Sequence, residues 1–437
     1  MVGLIVVIGA GGTAAAGQAP GAAPAAPSSL STPLTLTDAI ARARENSQPL
    51  RTALAEAQLA KEDRVQARAG LLPSLSGFGQ YIHTEENGTA SGVFIANDGP
   101  NVYNLWGTVH GDLFSPAKWA GYRAAGAAEA VARAQANVAA RGLVSTVVEN
   151  YYALIAAQRK MAGARQGLSE AQQFLQITQR QEAGGEVAHS DVVKAQIEVG
   201  QRQRDVQDAE LAELKSRLGV SVLVFPDFRD NFTVVDDLQD APPLPPLETV
   251  KAMANDNSPD LKAAQAALNQ QSSNVTAARS EFLPSTSFDY FYGINANQFA
   301  IYNPDNQRLL GSAFQVQVTV PLWNWGATQS KVRQAQIRQG QATVEFSLVQ
   351  RQLLANLSMF YAEAQTSSQQ VESLKASLDL STESLRLTLL RYQAGEVSVL
   401  EVVDAQTTLI QARNAYGDGL VRYRVALAAL QTLTGTL

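Results

Sequence analysis

His83, His110 and His189 are the side chains of this 437-residue chain best suited to hold a metal or move a proton near neutral pH. They stand far apart with no ligand spacing between them, so no metal site and no cofactor is expected. No Ser/His/Asp constellation, glycine-rich phosphate loop or carboxylate pair recommends catalysis, and the chain does not read as an enzyme. Cysteine is absent, which removes thiol chemistry, disulfides and a cysteine for an N-terminal lipid anchor.

What remains is the electrostatics of acids beside a turn. Gly395 interrupts one long helical pattern, since glycine takes the left-handed conformation at no steric cost. Ser398 and Glu401 then stand in capping-box spacing ahead of an apolar run, and Asp404 follows as an acid favoured by the helix dipole. The stretch from Arg391 to Gln406 has a counterpart about 210 residues earlier, Ala183 to Gln196, with Gly184, Gly185, Glu186 and Val187 at its turn. There Asp191 follows Ser190, a candidate cap, and reads as a first-turn acid.

Long helices must carry these turns. The text is rich in Ala and Gln, with few aromatics and 17% charged residues, as in packed helices. A net charge of -6 without a Lys/Arg cluster excludes nucleic acid as a partner. Residues 1–33 read as the remnant of a signal peptide, Val2 to Ile8 running into Ala14-Ala15-Ala16, followed by a Pro/Ala-rich leader. No Lys or Arg precedes that apolar segment, and no other uncharged apolar run is long enough for a transmembrane helix.

Two structural repeats follow, 34–219 and 247–437, joined by a connector over 220–246. In the first, alternation places strands at about 73–83 and 102–114, a surface loop between them, a long helix at about 116–183 and a return helix from about 190 to 218. In the second, strands fall at about 284–295 and 312–323 and the long helix at about 326–393. The repeat can be checked residue by residue. At an offset of 211, Leu72-Pro73-Ser74 meets Leu283-Pro284-Ser285; at 209, Tyr151-Tyr152-Ala153 meets Phe360-Tyr361-Ala362; at 210, Gly185-Glu186-Val187 meets Gly395-Glu396-Val397. Helices near 68 residues reach roughly 100 Å, too long for a compact domain, and imply a coiled coil or the wall of something long.

Phe314, Val316, Val318, Val320 and Leu322 alternate with Gln315, Gln317 and Thr319, giving one oily and one wet face. A soluble half-buried sheet shows the same pattern. Strand length and the aromatics Phe114, Trp119, Trp323 and Trp325, gathered at one end as interfacial anchors are, favour lipid. Four strands cannot close a membrane barrel, so several chains must contribute.

In this order the residues resemble the TolC family of outer-membrane efflux proteins, over nearly the whole chain from Leu34 onward. The likeness rests on the duplication, the Leu-Pro-Ser strand entries, the Tyr-Tyr-Ala and Phe-Tyr-Ala marks, and the turn Arg391-Tyr392-Gln393-Ala394-Gly395-Glu396-Val397. The resemblance implies a mainly α fold with a small β portion. It implies a homotrimer that closes one twelve-stranded barrel in outer-membrane lipid and one α-helical coiled-coil tunnel crossing the periplasm of a Gram-negative cell. It implies as partners a periplasmic adaptor and an inner-membrane pump of RND, ABC or MFS type. Carried onto this chain, Glu401 and Asp404 would narrow the pore, and Tyr392 and Asp191 would hold neighbouring coiled coils together. Gly184, Gly185, Glu186, Val187, Gly395, Glu396 and Val397 would meet the adaptor. Val397 departs from the family's best-known member, which has arginine there. A periplasmic adaptor or a soluble coiled-coil scaffold is the alternative, but the duplicated helix and strand order speaks against the first and the alternating strands against the second.

Overall fold

The computed structural model describes residues 32–85, 100–227, 232–238 and 242–435. The expected signal segment, the leader as far as Ser31, and most of the loop between the first two long strands lie outside the described residues. In chain order the elements are β1 (Thr32–Leu34), α1 (Leu36–Asn46), α2 (Gln48–Ala69), β2 (Ser74–His83), β3 (Asn101–Phe114), α3 (Pro116–Ala183) and α4 (His189–Val224). After β4 (Phe232–Val234) come α5 (Leu247–Asn257), α6 (Pro259–Ser280), β5 (Ser285–Ala296), β6 (Leu310–Thr319), α7 (Ala327–Gln393) and α8 (Val399–Thr434). Helix, helix, strand, strand, long helix and return helix therefore occur twice.

Local chemistry sets the repeated boundaries. Ser47 caps α2 by accepting from the Leu50 N–H at 3.3 Å, and Ser258 caps α6 by accepting from Leu261 at 3.4 Å. Pro49 and Pro259 follow these caps, in the first turn where a missing N–H costs nothing. The rods α3 and α7, of 68 and 67 residues, are each flanked by a shorter pair: α2 and α4 lie along α3, α6 and α8 along α7. Polar pairs mark these seams, including Arg165–Glu210 between α3 and α4 and Gln339–Ser272 between α7 and α6. Arg413 joins Glu170 at 3.0 Å, tying α8 across to α3 and so one repeat to the other.

Apolar burial is divided among three clusters along the rods. One centres on Val144, Tyr151, Tyr152 and Ile155 with Leu34 and Phe232; a second on Leu353, Leu357 and Leu427; a third, at the turns, on Phe174, Tyr392, Val402 and Leu409. Short β1 and β4 pair in parallel, Leu34 opposite Val234, and pin the connector to the first cluster. The buried Tyr151 hydroxyl donates between the Leu34 carbonyl at 3.0 Å and the Val235 carbonyl at 2.8 Å. Arg159 holds Asp236 through two nitrogens at 2.5 and 2.8 Å, and Arg424 reaches Asp237.

Four antiparallel strands form the other layer, in the order β2-β3-β5-β6. Among the described residues β2 and β6 are its unpaired edges. No helix among the described residues is long and apolar enough to cross a membrane, which says nothing of a β-barrel.

Several elements differ from their sequence-based placement. The last strand ends at Thr319 instead of 323, because Pro321 has no N–H to give the ladder. The return helix continues to Val224, six residues past 218, because Val220 and Val224 are buried in the first cluster. The connector is no plain link: it contains β4, and the leader's end contributes β1. Ser190 is no cap, since α4 begins at His189 with Ala188 in the N-cap position.

Burial, assisted by Asp237, pushes the Tyr151 phenol up to about 12. The protonated phenol is thus favoured in the fold: its contribution is complete below the ordinary value near 10 and is lost as pH rises from about 10 through 12. Tyr151→Phe should lower stability at neutral pH by about 1–3 kcal/mol, since two carbonyls lose their donor, and should flatten the alkaline limb. Thermal unfolding of both forms between pH 8 and 12 measures this.

Candidate functional site

Both helical hairpins close through the same hydrogen-bonded turn. At the end of α3, the Glu186 N–H donates to the Gln181 carbonyl at 2.8 Å and the Gly185 N–H to Glu182 at 2.9 Å. At the end of α7, Glu396 donates to Arg391 at 2.9 Å and Gly395 to Tyr392 at 3.0 Å. This pair of bonds is the Schellman motif, which needs a left-handed residue at its corner. Gly185 and Gly395 supply it, with φ of 75° and 76°. Gly184, by contrast, is right-handed at φ -80°, like Ala394 at -81° in the second turn, so the glycine there is not conformationally required.

Gly184, Gly185, Glu186, Gly395 and Glu396 are exposed at this end, whereas Val187 and Val397 are half-buried against the third apolar cluster. The two turns flank a cleft of about 460 Å³ that Asp191, Tyr392 and Val397 help to line. Val397 is thus an apolar wall residue, and its neighbour Glu396 pairs with Arg391 at 3.4 Å.

Tyr392 and Asp191 share the cleft without bonding to each other. The Tyr392 hydroxyl donates to Thr178 on α3 at 3.3 Å, and its ring meets Phe174 edge-on at 5.1 Å. Asp191 accepts from Lys194 at 3.1 Å, one turn along its own helix. Burial raises the Tyr392 phenol above its ordinary value, with the Asp191 charge adding to the effect against the Thr178 bond. Thr178 was invisible to spacing arguments, because its role depends on α3 and α7 meeting near the turns.

Glu401 is exposed and its carboxylate accepts from the Ser398 backbone N–H at 3.5 Å, closing the expected capping box. Asp404 is exposed too, but lies at the sixth residue of α8, beyond the first turn in which the dipole acts. The dipole therefore does not account for it. At the repeat offset of 210, Asp191 corresponds to Glu401 and Lys194 to Asp404. One hairpin carries an acid neutralised by its own lysine; the other carries two acids, with no lysine at that place. The sequence alignment of the halves held this contrast, and Lys194 is the residue that gives it meaning.

At the far end of α3 and α7 the sheet presents two unlike faces. Register opposes Asn104 to Gln80 and Asn295, His110 to Ser74 and Asp289, and Asp289 to Gln315, so these share one face. Leu75, Leu105, Tyr290, Phe314, Val316 and Val318 lie on the other, and all six are at least 40% exposed within a single chain. Phe114, Trp119, Trp323 and Trp325 lie at one end of the sheet, where the strands meet the long helices, and all four are exposed. Trp323 and Trp325 contact edge-on at 5.9 Å. Trp325 has φ 55° and Gly326 φ 81°, two left-handed residues in succession that turn the chain from the sheet into α7.

A sequence model of the family described as Outer membrane efflux protein matches residues 39–223 and again 251–436. Alkaline protease secretion protein AprF of Pseudomonas aeruginosa is 23% identical over 414 residues, which is 92% of this chain and 85% of that protein. Cobalt-zinc-cadmium resistance protein CzcC of Cupriavidus metallidurans is 27% identical over 290 residues, 65% of this chain and 66% of that protein. The fold is similar to the crystal structure of the CmeC outer membrane channel of Campylobacter jejuni, with a TM-score of 0.79 at 17% identity, covering 92% of this chain and 85% of that one.

Gly185→Ala and Gly395→Ala should each cost about 1–2 kcal/mol, because a Cβ is strained in the left-handed region. Gly184→Ala should be nearly neutral. Denaturant unfolding of the three variants separates them.

Proposed function

This chain belongs to the outer membrane efflux protein family, and on that premise we propose that three copies close one twelve-stranded barrel continuous with a helical tunnel. It is an outer-membrane channel of a Gram-negative cell, and export is its activity. The observation that carries the trimer is the sheet: among the described residues it has four strands, an oily face and two unpaired edges. Open edges are not tolerated in lipid, and joining β6 of one copy to β2 of the next removes all of them. A soluble scaffold would leave Phe314, Val316 and Val318 facing water.

The four exposed aromatics then act as the membrane-interface belt at the periplasmic side. Rods of roughly 100 Å carry the two turns to the other end, where Gly184, Gly185, Glu186, Val187, Gly395, Glu396 and Val397 form the surface for a periplasmic adaptor. Cargo arrives from an inner-membrane pump through that adaptor, as befits a family whose named members serve protease secretion and metal resistance. Glu401 and Asp404, uncompensated where the first hairpin has Asp191 and Lys194, line the constriction. Their threefold repetition around an axis favours cations there. Tyr392 latches the second hairpin to the first through Thr178, and Asp191 contributes charge to the same cleft. The two repeats, 34–219 and 247–437, are the units of this assembly, and between them β4 of the connector packs on the first apolar cluster at mid-height.

Because the chain has no cysteine, introduced pairs report directly. Cysteines placed on β2 and β6, such as Ser76→Cys with Gln315→Cys and its neighbours in register, should give disulfide-linked species no larger than trimers in outer-membrane fractions. A ladder continuing past three, or monomer only across the panel, would rule out the closed trimer. Glu401→Gln with Asp404→Asn keeps a capping-competent side chain at 401. The double variant should lose cation preference in planar bilayers by several-fold, and unchanged reversal potentials would remove both acids from the pore.

A further inference from the structure

The wet face of the sheet carries three aromatic residues against its pattern, besides the opposed aliphatic pair Ile82 and Val102. Phe78, Trp106 and Phe291 share it with Gln80, Asn104, Thr108, His110 and Asp289, as the directly opposed pairs Phe78↔Trp106 and Thr108↔Phe291 establish. Aromatic rings on the wall of an aqueous pore lose hydration without gaining a core, so they call for another reason. Phe78 lies against Trp106 with centroids 4.8 Å apart, and Phe291 meets Trp106 edge-on at 6.5 Å and 85°. The two ring planes of Trp106 and Phe291 thus form a corner.

Beside that corner the wall is hollow. A depression of about 400 Å³ is walled by Trp106 and Phe291 and floored by Gly293, Gly311 and Ala313, with Asn295 at one side. Gly293 has a structural explanation: a Cβ there would come within 2.1 Å of the Leu105 carbonyl oxygen and 2.4 Å of the Trp106 Cα. Gly311 has none, because a Cβ there would meet nothing within 4 Å and its backbone is not left-handed. Its missing side chain leaves the floor open without serving any contact within the chain. Asp289 stands one pleat from Phe291 on the same face, held at 2.7 Å to His110. π faces attract positive charge, and a carboxylate beside them adds to that attraction while repelling anions.

We propose that this corner is a stacking subsite inside the barrel for planar aromatic cations in transit. It rests on the barrel reading, which makes the wet face the lumen. The ring of the solute lies over the glycine floor against Trp106, with its positive charge toward Asp289. Three copies place three such sites around the lumen, distant from the helical turns.

The test uses the full chain purified from outer membranes in detergent, with proflavine as the planar cation and 1-pyrenesulfonate as the planar anion. Fluorescence anisotropy should show saturable proflavine binding. It should weaken at least tenfold in Gly311→Leu, which fills the floor, and in Trp106→Leu, which removes the wall. Gly77→Leu, on the opposite face where a Cβ also meets nothing within 4 Å, should bind as the unaltered chain does. The sulfonate should bind at least tenfold more weakly than proflavine. Trimers on unheated gels with no saturable binding, or with equal binding in Gly311→Leu, would overturn the subsite alone. Equal affinity for the two dyes would overturn the assigned charge. Absence of trimers from every preparation would overturn the barrel and the subsite together.

Discussion

Every backbone N–H and C=O taken out of water must find a partner, and this chain ends its sheet with two rows that have none among the described residues. That constraint reaches well beyond β2 and β6. On the proposed trimer it is met by further copies, and copies arranged around an axis would bring their long helices side by side as a second, helical wall. The exposed aliphatic residues of the rods, such as Ile337, Val344 and Leu348 on α7 and Leu54 and Leu59 on α2, become intelligible as surfaces between copies. A single protomer is, in this sense, an open fragment of two concentric requirements, one for hydrogen bonds and one for apolar burial.

Much of this was legible in the residues themselves. Gly395, Ser398 and Glu401 announce a helix stop and restart, and both features stand where expected because they depend on a few neighbouring backbone groups. The alternation in β6 is equally local, as is the end that Pro321 imposes on it. What the sequence concealed depends on distant contacts. Val220 and Val224 extend α4 because Tyr151 and Phe232 bury them, and the pairing of Thr32–Leu34 with Phe232–Val234 joins segments 200 residues apart. The contact partner of Tyr392 was hidden for the same reason, since Thr178 lies on another rod, 214 residues away in the sequence.

The two halves also show how one backbone design accepts different chemistry. Their turns superimpose in hydrogen bonding, yet the first is charge-balanced by Asp191 and Lys194 and the second carries Glu401 and Asp404. In the middle of the chain the divergence is structural. Tyr151 has a hydroxyl that fastens the connector, while its counterpart Phe360 has none and packs against Leu357 and its neighbours instead. Duplication supplied the scaffold twice, and the differences sit where one half had to hold the other or face a different environment.

The matched Schellman turns carry a consequence for recognition. An assembly with threefold symmetry offers six corners of almost the same shape, so a partner that reads backbone geometry alone meets a stoichiometric ambiguity between three and six. Side chains at the corners must break it. Among the places where the two corners differ, Gly184 against Ala394 and Ala188 against Ser398 are exposed in both, and on the trimer reading they would give a docking protein the means to tell even seats from odd ones around the ring.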